Sequence, residues 1–70
     1  MKTYSDVTGK EFESNDAVYF RNIVQCGFYL AHGATLLDVF ADSAGKVVMV
    51  FPREQHEALI KKWIENKQEE

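Results

Sequence analysis

Cys26, His32 and His56 are the side chains in this sequence that could act as a nucleophile, a proton carrier or a soft metal ligand. Zinc needs three or four such ligands that converge, and a cysteine nucleophile needs an imidazole beside its thiol. Cys26 and His32 are six residues apart on one predicted helix, so they point to opposite sides of it. We expect Cys26 to be a small buried thiol and His56 to lie at the edge of the core, without a metal, a cofactor or a catalytic role.

The segment Thr8-Gly9-Lys10 contains the Gly-Lys pair of phosphate-binding loops. Those loops also need a second glycine five positions before that pair and a Ser or Thr after the lysine. Tyr4 and Glu11 occupy these two positions. The segment is therefore predicted to be a turn. Since the cysteine and histidines also lack a catalytic arrangement, the protein is predicted not to be an enzyme.

Asp38 is a carboxylate inside an otherwise apolar segment. One hypothesis makes it a general base with a raised pKa, or a charge that selects a partner. The other places it at the edge of a sheet, where its charge either discourages pairing with a further strand or pairs with Arg21 or a lysine. We favour the edge position.

The elements that would position Asp38 are two apolar runs, Leu36 to Ala41 and Val47 to Phe51. The segment between them contains Asp, Ser and Gly, so the runs predict a β-hairpin. If Ala41 pairs with Lys46, an aliphatic face and a Phe/Met-rich face result. The first face comprises Leu37, Val39, Val48 and Val50, and the second comprises Leu36, Asp38, Phe40, Val47, Met49 and Phe51. We expect helices to cover the aliphatic face and to leave Phe40, Met49 and Phe51 for the N-terminal hairpin or a partner.

Two amphipathic helices flank this hairpin. The first is predicted to begin after Asn22, whose side chain can cap it, and to end at Gly33. The second is predicted to begin at Pro52 and to end at Asn66. The predicted inward stripes are Ile23, Cys26, Gly27, Leu30 and Ala31 on the first helix and His56, Leu59, Ile60, Trp63 and Ile64 on the second. Gly27 is expected to allow a close approach of the first helix to the sheet.

With a strand over residues 17–20, the predicted order is β-α-β-β-α, an α+β layer sandwich with an antiparallel central hairpin. The chain is interpreted as a single domain, residues 1–70. Residues 1–16 form a polar entry that could hold an extra hairpin, residues 17–66 form the core, and residues 67–70 form a frayed tail.

Composition narrows the function classes. The chain has 46% hydrophobic residues, one cysteine and a net charge of −3. The lone cysteine and the lack of a signal peptide or a membrane-length apolar run favour a cytoplasmic protein. The acidic balance disfavours nonspecific nucleic-acid binding, which depends on Lys and Arg neutralising phosphates.

Residues of ordinary type but characteristic spacing run from Tyr19 to Trp63, about two-thirds of the chain. They are Arg21-Asn22, Gln25, Tyr29-Leu30, Gly33, Leu37-Asp38-Val39, Gly45-Lys46, Val48-Met49-Val50-Phe51 and Trp63. In the types and spacing of these residues, the region resembles a family of small uncharacterised proteins from Firmicutes and their phages. That family is classed as a domain of unknown function. The resemblance implies a compact α/β domain without assigned catalytic residues.

Two functional hypotheses remain open. The first is a noncatalytic protein-interaction module that binds a protein partner or a second copy of itself through the sheet and the first helix. Its predicted contact residues are Arg21, Tyr29, Asp38, Phe40, Met49 and Phe51. The alternative is a phage-type nucleic-acid-binding accessory protein. It would use Arg21, Lys10, Lys46, Lys61 and Lys62, with Tyr19 or Tyr29 for base stacking.

Overall fold

A computed structural model describes residues 1–68. The elements are β1 (Lys2–Tyr4), β2 (Glu11–Glu13), a 3-10 turn (Ser14–Asp16), β3 (Ala17–Phe20), α1 (Ile23–Ala31), β4 (Asp38–Ala41), β5 (Val47–Pro52) and α2 (Arg53–Gln68). The α+β class and the core order β-α-β-β-α are confirmed, and the extra N-terminal hairpin is present as β1 and β2. Among the described residues, no helix combines the length and apolar character needed to cross a membrane.

The main sheet is antiparallel, with β5 between β3 and β4. The hairpin turn is closed by Asp42, whose Oδ1 accepts the N–H groups of Ala44 (2.9 Å) and Lys46 (3.0 Å). The backbone N–H of Asp42 also donates to the carbonyl of Lys46 at 2.9 Å. Asp42, not Ala41, is therefore the residue opposite Lys46, and Ala41 pairs with Val47. The predicted register is wrong by one residue.

This register redistributes the side chains, because residues paired directly across strands share a face. Val39 pairs with Met49, so both lie on the face that also carries Phe51, whereas Phe40 pairs with Val48 on the opposite face. Both helices pack on the first of these faces. Their shared core comprises Cys26, Tyr29 and Phe51, bordered by Val18, Phe20, Phe28, Ala34, Leu36, Met49, Leu59 and Trp63. The prediction that Met49 and Phe51 lie on the face away from the helices is thus wrong, since the helices cover them.

The N-terminal hairpin covers part of the second sheet face. Phe12 of β2 packs with Ala17 and Val50, and Leu37 borders the cluster. The loop after β1 is tied to the chain around the start of β4, because the Thr8 hydroxyl donates to the carbonyl of Leu37 at 2.7 Å. The opposite end of this face, towards the β4–β5 turn, keeps exposed aromatic side chains.

Helix α1 begins as predicted, with the Asn22 side chain accepting the N–H groups of Val24 (3.0 Å) and Gln25 (3.2 Å). Gly33 follows the helix with a φ of 87°, which confirms the left-handed cap. The predicted inward stripe is confirmed for Cys26 and wrong for its other four residues. The buried residues of α1 are Gln25, Cys26 and Tyr29, while Ile23, Gly27, Leu30 and Ala31 face solvent.

Helix α2 directly follows Pro52 and extends to Gln68, two residues beyond the predicted end at Asn66. Its predicted inward residues His56, Leu59, Ile60 and Trp63 are half-buried, whereas Ile64 is exposed. Of the predicted frayed tail, residues 67–68 belong to the helix and residues 69–70 lie outside the described part of the chain.

Candidate interaction surface

Helix α1 turns an uncharged apolar surface to solvent. The exposed fractions are 62% for Ile23, 70% for Val24 and 40% for Leu30. Gly27 and Ala31 are exposed between and beside them. At 100° per residue these five positions cover about a third of the helix circumference, with Gly27 at the centre. We call this set, Ile23, Val24, Gly27, Leu30 and Ala31, the outer α1 face.

The inward side of α1 is determined by a buried hydrogen-bond chain. The Gln25 side-chain amide donates to the Tyr29 phenol oxygen at 3.1 Å, and that oxygen lies 2.8 Å from Nδ1 of His56. Tyr29 also packs edge-on against Phe20 and Phe51. Burial raises the pKa of the Tyr29 phenol, although the hydrogen bond from Gln25 acts in the opposite direction. Tyr29 was predicted as a surface contact, but it is fully buried and has a structural role.

Gly27 has no packing role among residues 1–68. A Cβ atom built on this residue would meet nothing within 4 Å. Its φ is not positive, so its backbone conformation is open to any residue. The predicted close approach of Gly27 to the sheet is therefore wrong. A glycine in a helix interior costs about 1 kcal/mol relative to alanine, and no contact within the described chain compensates for it.

A second apolar surface lies on the sheet face away from the helices. Tyr19 is 47% exposed and Phe40 is 42% exposed, and their rings meet edge-on with centroids 6.4 Å apart. Val48, which pairs with Phe40, is buried on the same face. The contact role of Phe40 stays a prediction. Tyr19 was proposed only for base stacking in the nucleic-acid alternative. We call Tyr19, Phe40 and Val48 the sheet patch.

Arg21 and Asp42 form an ion pair at the turn end of the sheet. Nε of Arg21 donates to Oδ2 of Asp42 at 2.7 Å. This hydrogen bond lowers the pKa of Asp42, and the backbone N–H groups of the turn act in the same direction. The Arg21 side chain is well exposed, so its contact role stays a prediction. Its charge is nevertheless balanced within the chain.

Asp38 begins β4, an edge strand, as the favoured hypothesis expected. Its partner is not Arg21 or a lysine, however. Oδ1 accepts the Ser5 hydroxyl at 2.6 Å and the N–H of Val39 at 2.8 Å. Ser5 is itself buried. Because Asp38 binds a backbone N–H of an edge strand and anchors the N-terminal hairpin, it acts as a structural carboxylate.

The other candidates for chemistry are separated. Cys26 is buried, and this burial raises the pKa of its thiol. Nδ1 of His32 lies 2.9 Å from the Phe28 carbonyl, and His56 contacts Tyr29. No three His, Cys, Asp or Glu side chains within residues 1–68 converge as metal ligands would. Thr8-Gly9-Lys10 is a turn, as predicted, with Gly9 at a φ of 73°.

Comparison with known proteins finds no family model, no curated protein and no solved structure that matches this chain. The resemblance to the Firmicutes and phage family therefore stays a prediction. The two exposed apolar surfaces are the features from which a function can be inferred.

Proposed function

We propose that this chain is a noncatalytic protein-interaction module that binds a protein through the outer α1 face, with the sheet patch as a secondary contact. The observation that carries the proposal is the exposure of Ile23, Val24 and Leu30 on one side of a nine-residue helix without a charged residue. Apolar side chains gathered on one exposed surface are typical of a contact site.

The strength of such a contact follows from its size. Fully burying a Val, Leu or Ile side chain contributes about 1.5–3 kcal/mol. Association itself costs about 4–15 kcal/mol in lost translational and rotational freedom. A few aliphatic side chains on one short helix therefore support a weak, reversible complex. This is the behaviour expected of an interaction module rather than of a permanently assembled subunit.

The buried state of the polar candidates supports a noncatalytic role. The Cys26 thiol has a raised pKa, which disfavours the reactive thiolate. Asp38 is engaged by Ser5 and by the backbone of its own strand. Cys26 is free and buried, which is typical of proteins in a reducing compartment. We therefore propose that the protein is cytoplasmic.

The nucleic-acid alternative receives less support from the geometry. Arg21 is already paired with Asp42, and Tyr29 is buried and unavailable for stacking. The net charge of −3 acts in the same direction. We therefore treat nucleic-acid binding as an outcome that the experiment must be able to detect.

Site-specific photocrosslinking in the native host tests the proposal. A benzophenone amino acid replaces Val24, on the outer α1 face, or Ile64, which is 48% exposed on α2 and serves as the matched control. We expect discrete protein adducts from position 24 that are absent from position 64 and resist nuclease treatment. Adducts that nuclease removes, or no adducts from position 24, would contradict the proposal.

A further inference from the structure

Building on the proposed function, we propose that the partner of the outer α1 face is a second copy of this chain. Two α1 helices would pack antiparallel about a two-fold axis that passes beside Gly27 of each copy. The outer α1 face, with Gly27 at its centre, is the surface on which this assignment rests.

The distribution of charge favours a second copy. The chain carries a net charge of −3, so two copies repel each other on average over their orientations. A two-fold interface places the same patch on both sides, so any charge near its centre faces a like charge. The segment from Ile23 to Ala31 contains no charged residue. On this face, two acidic molecules can meet without bringing like charges together.

The order of large and small residues along α1 is also self-complementary. With Gly27 on the axis, an antiparallel partner places Ile23 opposite Ala31 of the second copy and Val24 opposite Leu30 of the second copy. The large side chain of Ile23 thus meets the small side chain of Ala31. Such alternation lets two helix surfaces interdigitate.

Gly27 gains a function in this arrangement. Within the chain, the space around its Cβ position is open to 4 Å, and its backbone does not require glycine. The distance between packed helices depends on the side chains at the point of contact. A glycine on the axis lets the two backbones approach closely. This accounts for a helix-destabilising residue that no contact in the described part of the chain explains.

The expected dimer is weak. A nine-residue helix is about 13 Å long. The area that one face of so short a helix can bury is smaller than the roughly 800 Å² per partner that a standard specific interface buries. We therefore expect dissociation in the micromolar to millimolar range, and measurements must extend from about 10 μM to about 1 mM.

Sedimentation equilibrium of the full chain tests the dimer with two variants that change net charge equally. Gly27→Glu places two carboxylates face to face on the axis, whereas Ile64→Glu adds the same charge to α2. We expect Gly27→Glu to raise the dissociation constant about 100-fold, because like charges then oppose each other. Ile64→Glu should change it less than about 3-fold. Glutamate is a better helix former than glycine, so unfolding would not explain a lost dimer.

Oxidation of a Gly27→Cys variant provides a positive test of the geometry. A disulfide requires Cα atoms about 4.4–6.8 Å apart, which only a close antiparallel crossing at position 27 supplies. We expect an intermolecular disulfide at position 27 and none in an Ile64→Cys control. The native Cys26 is buried in both variants and should not contribute.

The outcomes separate this inference from the proposed function. A chain that stays monomeric at about 1 mM but gives protein adducts from position 24 overturns the dimer and leaves the interaction module intact. A dimer that resists Gly27→Glu but is lost in Phe40→Glu also overturns the inference, because the sheet patch would then be the interface. A monomer without adducts from position 24 overturns both.

Discussion

The phenol oxygen of Tyr29 lies 2.8 Å from Nδ1 of His56 and joins α1 to α2 inside the core. The Gln25 amide donates to the same oxygen, so the phenol is bound on both sides within the core. All three polar groups are thereby satisfied, so α1 can bury a glutamine and a tyrosine while its aliphatic residues remain in solvent.

Replacement of Tyr29 by phenylalanine tests this relationship. Tyr29→Phe removes the oxygen that serves both the Gln25 amide and the His56 imidazole, and a buried group left without a partner costs about 1–3 kcal/mol. We expect a loss of that size in the free energy of unfolding, measured by urea denaturation. Tyr19→Phe is the control, because its ring is half exposed and should change stability by less than about 0.5 kcal/mol. Equal effects would show that the buried chain contributes nothing.

The two phenylalanines of the hairpin test the strand register. Phe51 is fully buried against the helices, whereas Phe40 is 42% exposed on the opposite face. Phe51→Ala should cost about 3–5 kcal/mol, a large part of the stability of a chain this small. Phe40→Ala should cost less than about 1.5 kcal/mol. Thermal or chemical denaturation measures both, and similar losses would contradict the register.

Sequence reasoning succeeded where the determining interaction is local. Three features depend on partners within a few residues: the Asn22 cap, the Gly33 helix end and the Asp42 turn. The strands β4 and β5 were predictable because each is a run of mostly apolar residues in the sequence. The face of each element was harder to predict. Closing the turn at Asp42 instead of Ala41 placed Val39, not Phe40, on the face of Met49, and the helices cover this face rather than the one that carries Val48 and Val50.

Contacts between residues far apart in the sequence determine which side chains of the candidate site are exposed. The inward side of α1 depends on Tyr29 meeting His56, 27 residues away in the sequence, and Asp38 depends on Ser5, 33 residues away. Neither pairing has a sequence pattern. The stripe through Ile23, Gly27 and Leu30 was recognised, but its outward direction was not.

The ion pair between Arg21 and Asp42 predicts a dependence of stability on pH. The pKa of Asp42 is lower in the folded chain than its ordinary value, chiefly because Arg21 donates to the carboxylate. A depressed carboxyl pKa stabilises the fold above the ordinary carboxyl range, and this contribution disappears as the pH falls through the folded pKa. Asp42→Asn keeps an oxygen for the turn N–H groups but removes the charge.

We therefore expect wild type to melt above Asp42→Asn at neutral pH, and the difference to shrink once the pH falls below about 4. Melting temperatures followed by circular dichroism between neutral and acidic pH measure this difference. Because the pair is exposed, about 1 M salt should also reduce the difference at neutral pH. A difference that is constant over the whole pH range would show that Arg21 does not stabilise the charged form of Asp42.

Alanine at two glycines should have opposite effects on stability. The space around Gly27 and Gly45 is open to 4 Å at both Cβ positions, so steric overlap disfavours neither substitution. Gly27 lies in α1 without a positive φ, and Gly27→Ala should stabilise the monomer by about 0.5–1 kcal/mol. Gly45 has a φ of 78°, where an L-residue is strained, so Gly45→Ala should destabilise it by about 1–2 kcal/mol. Urea denaturation at a chain concentration where sedimentation shows only monomer compares the two variants. A loss of stability in Gly27→Ala would mean that Gly27 is needed within the chain, and the packing argument for a second copy would then fail.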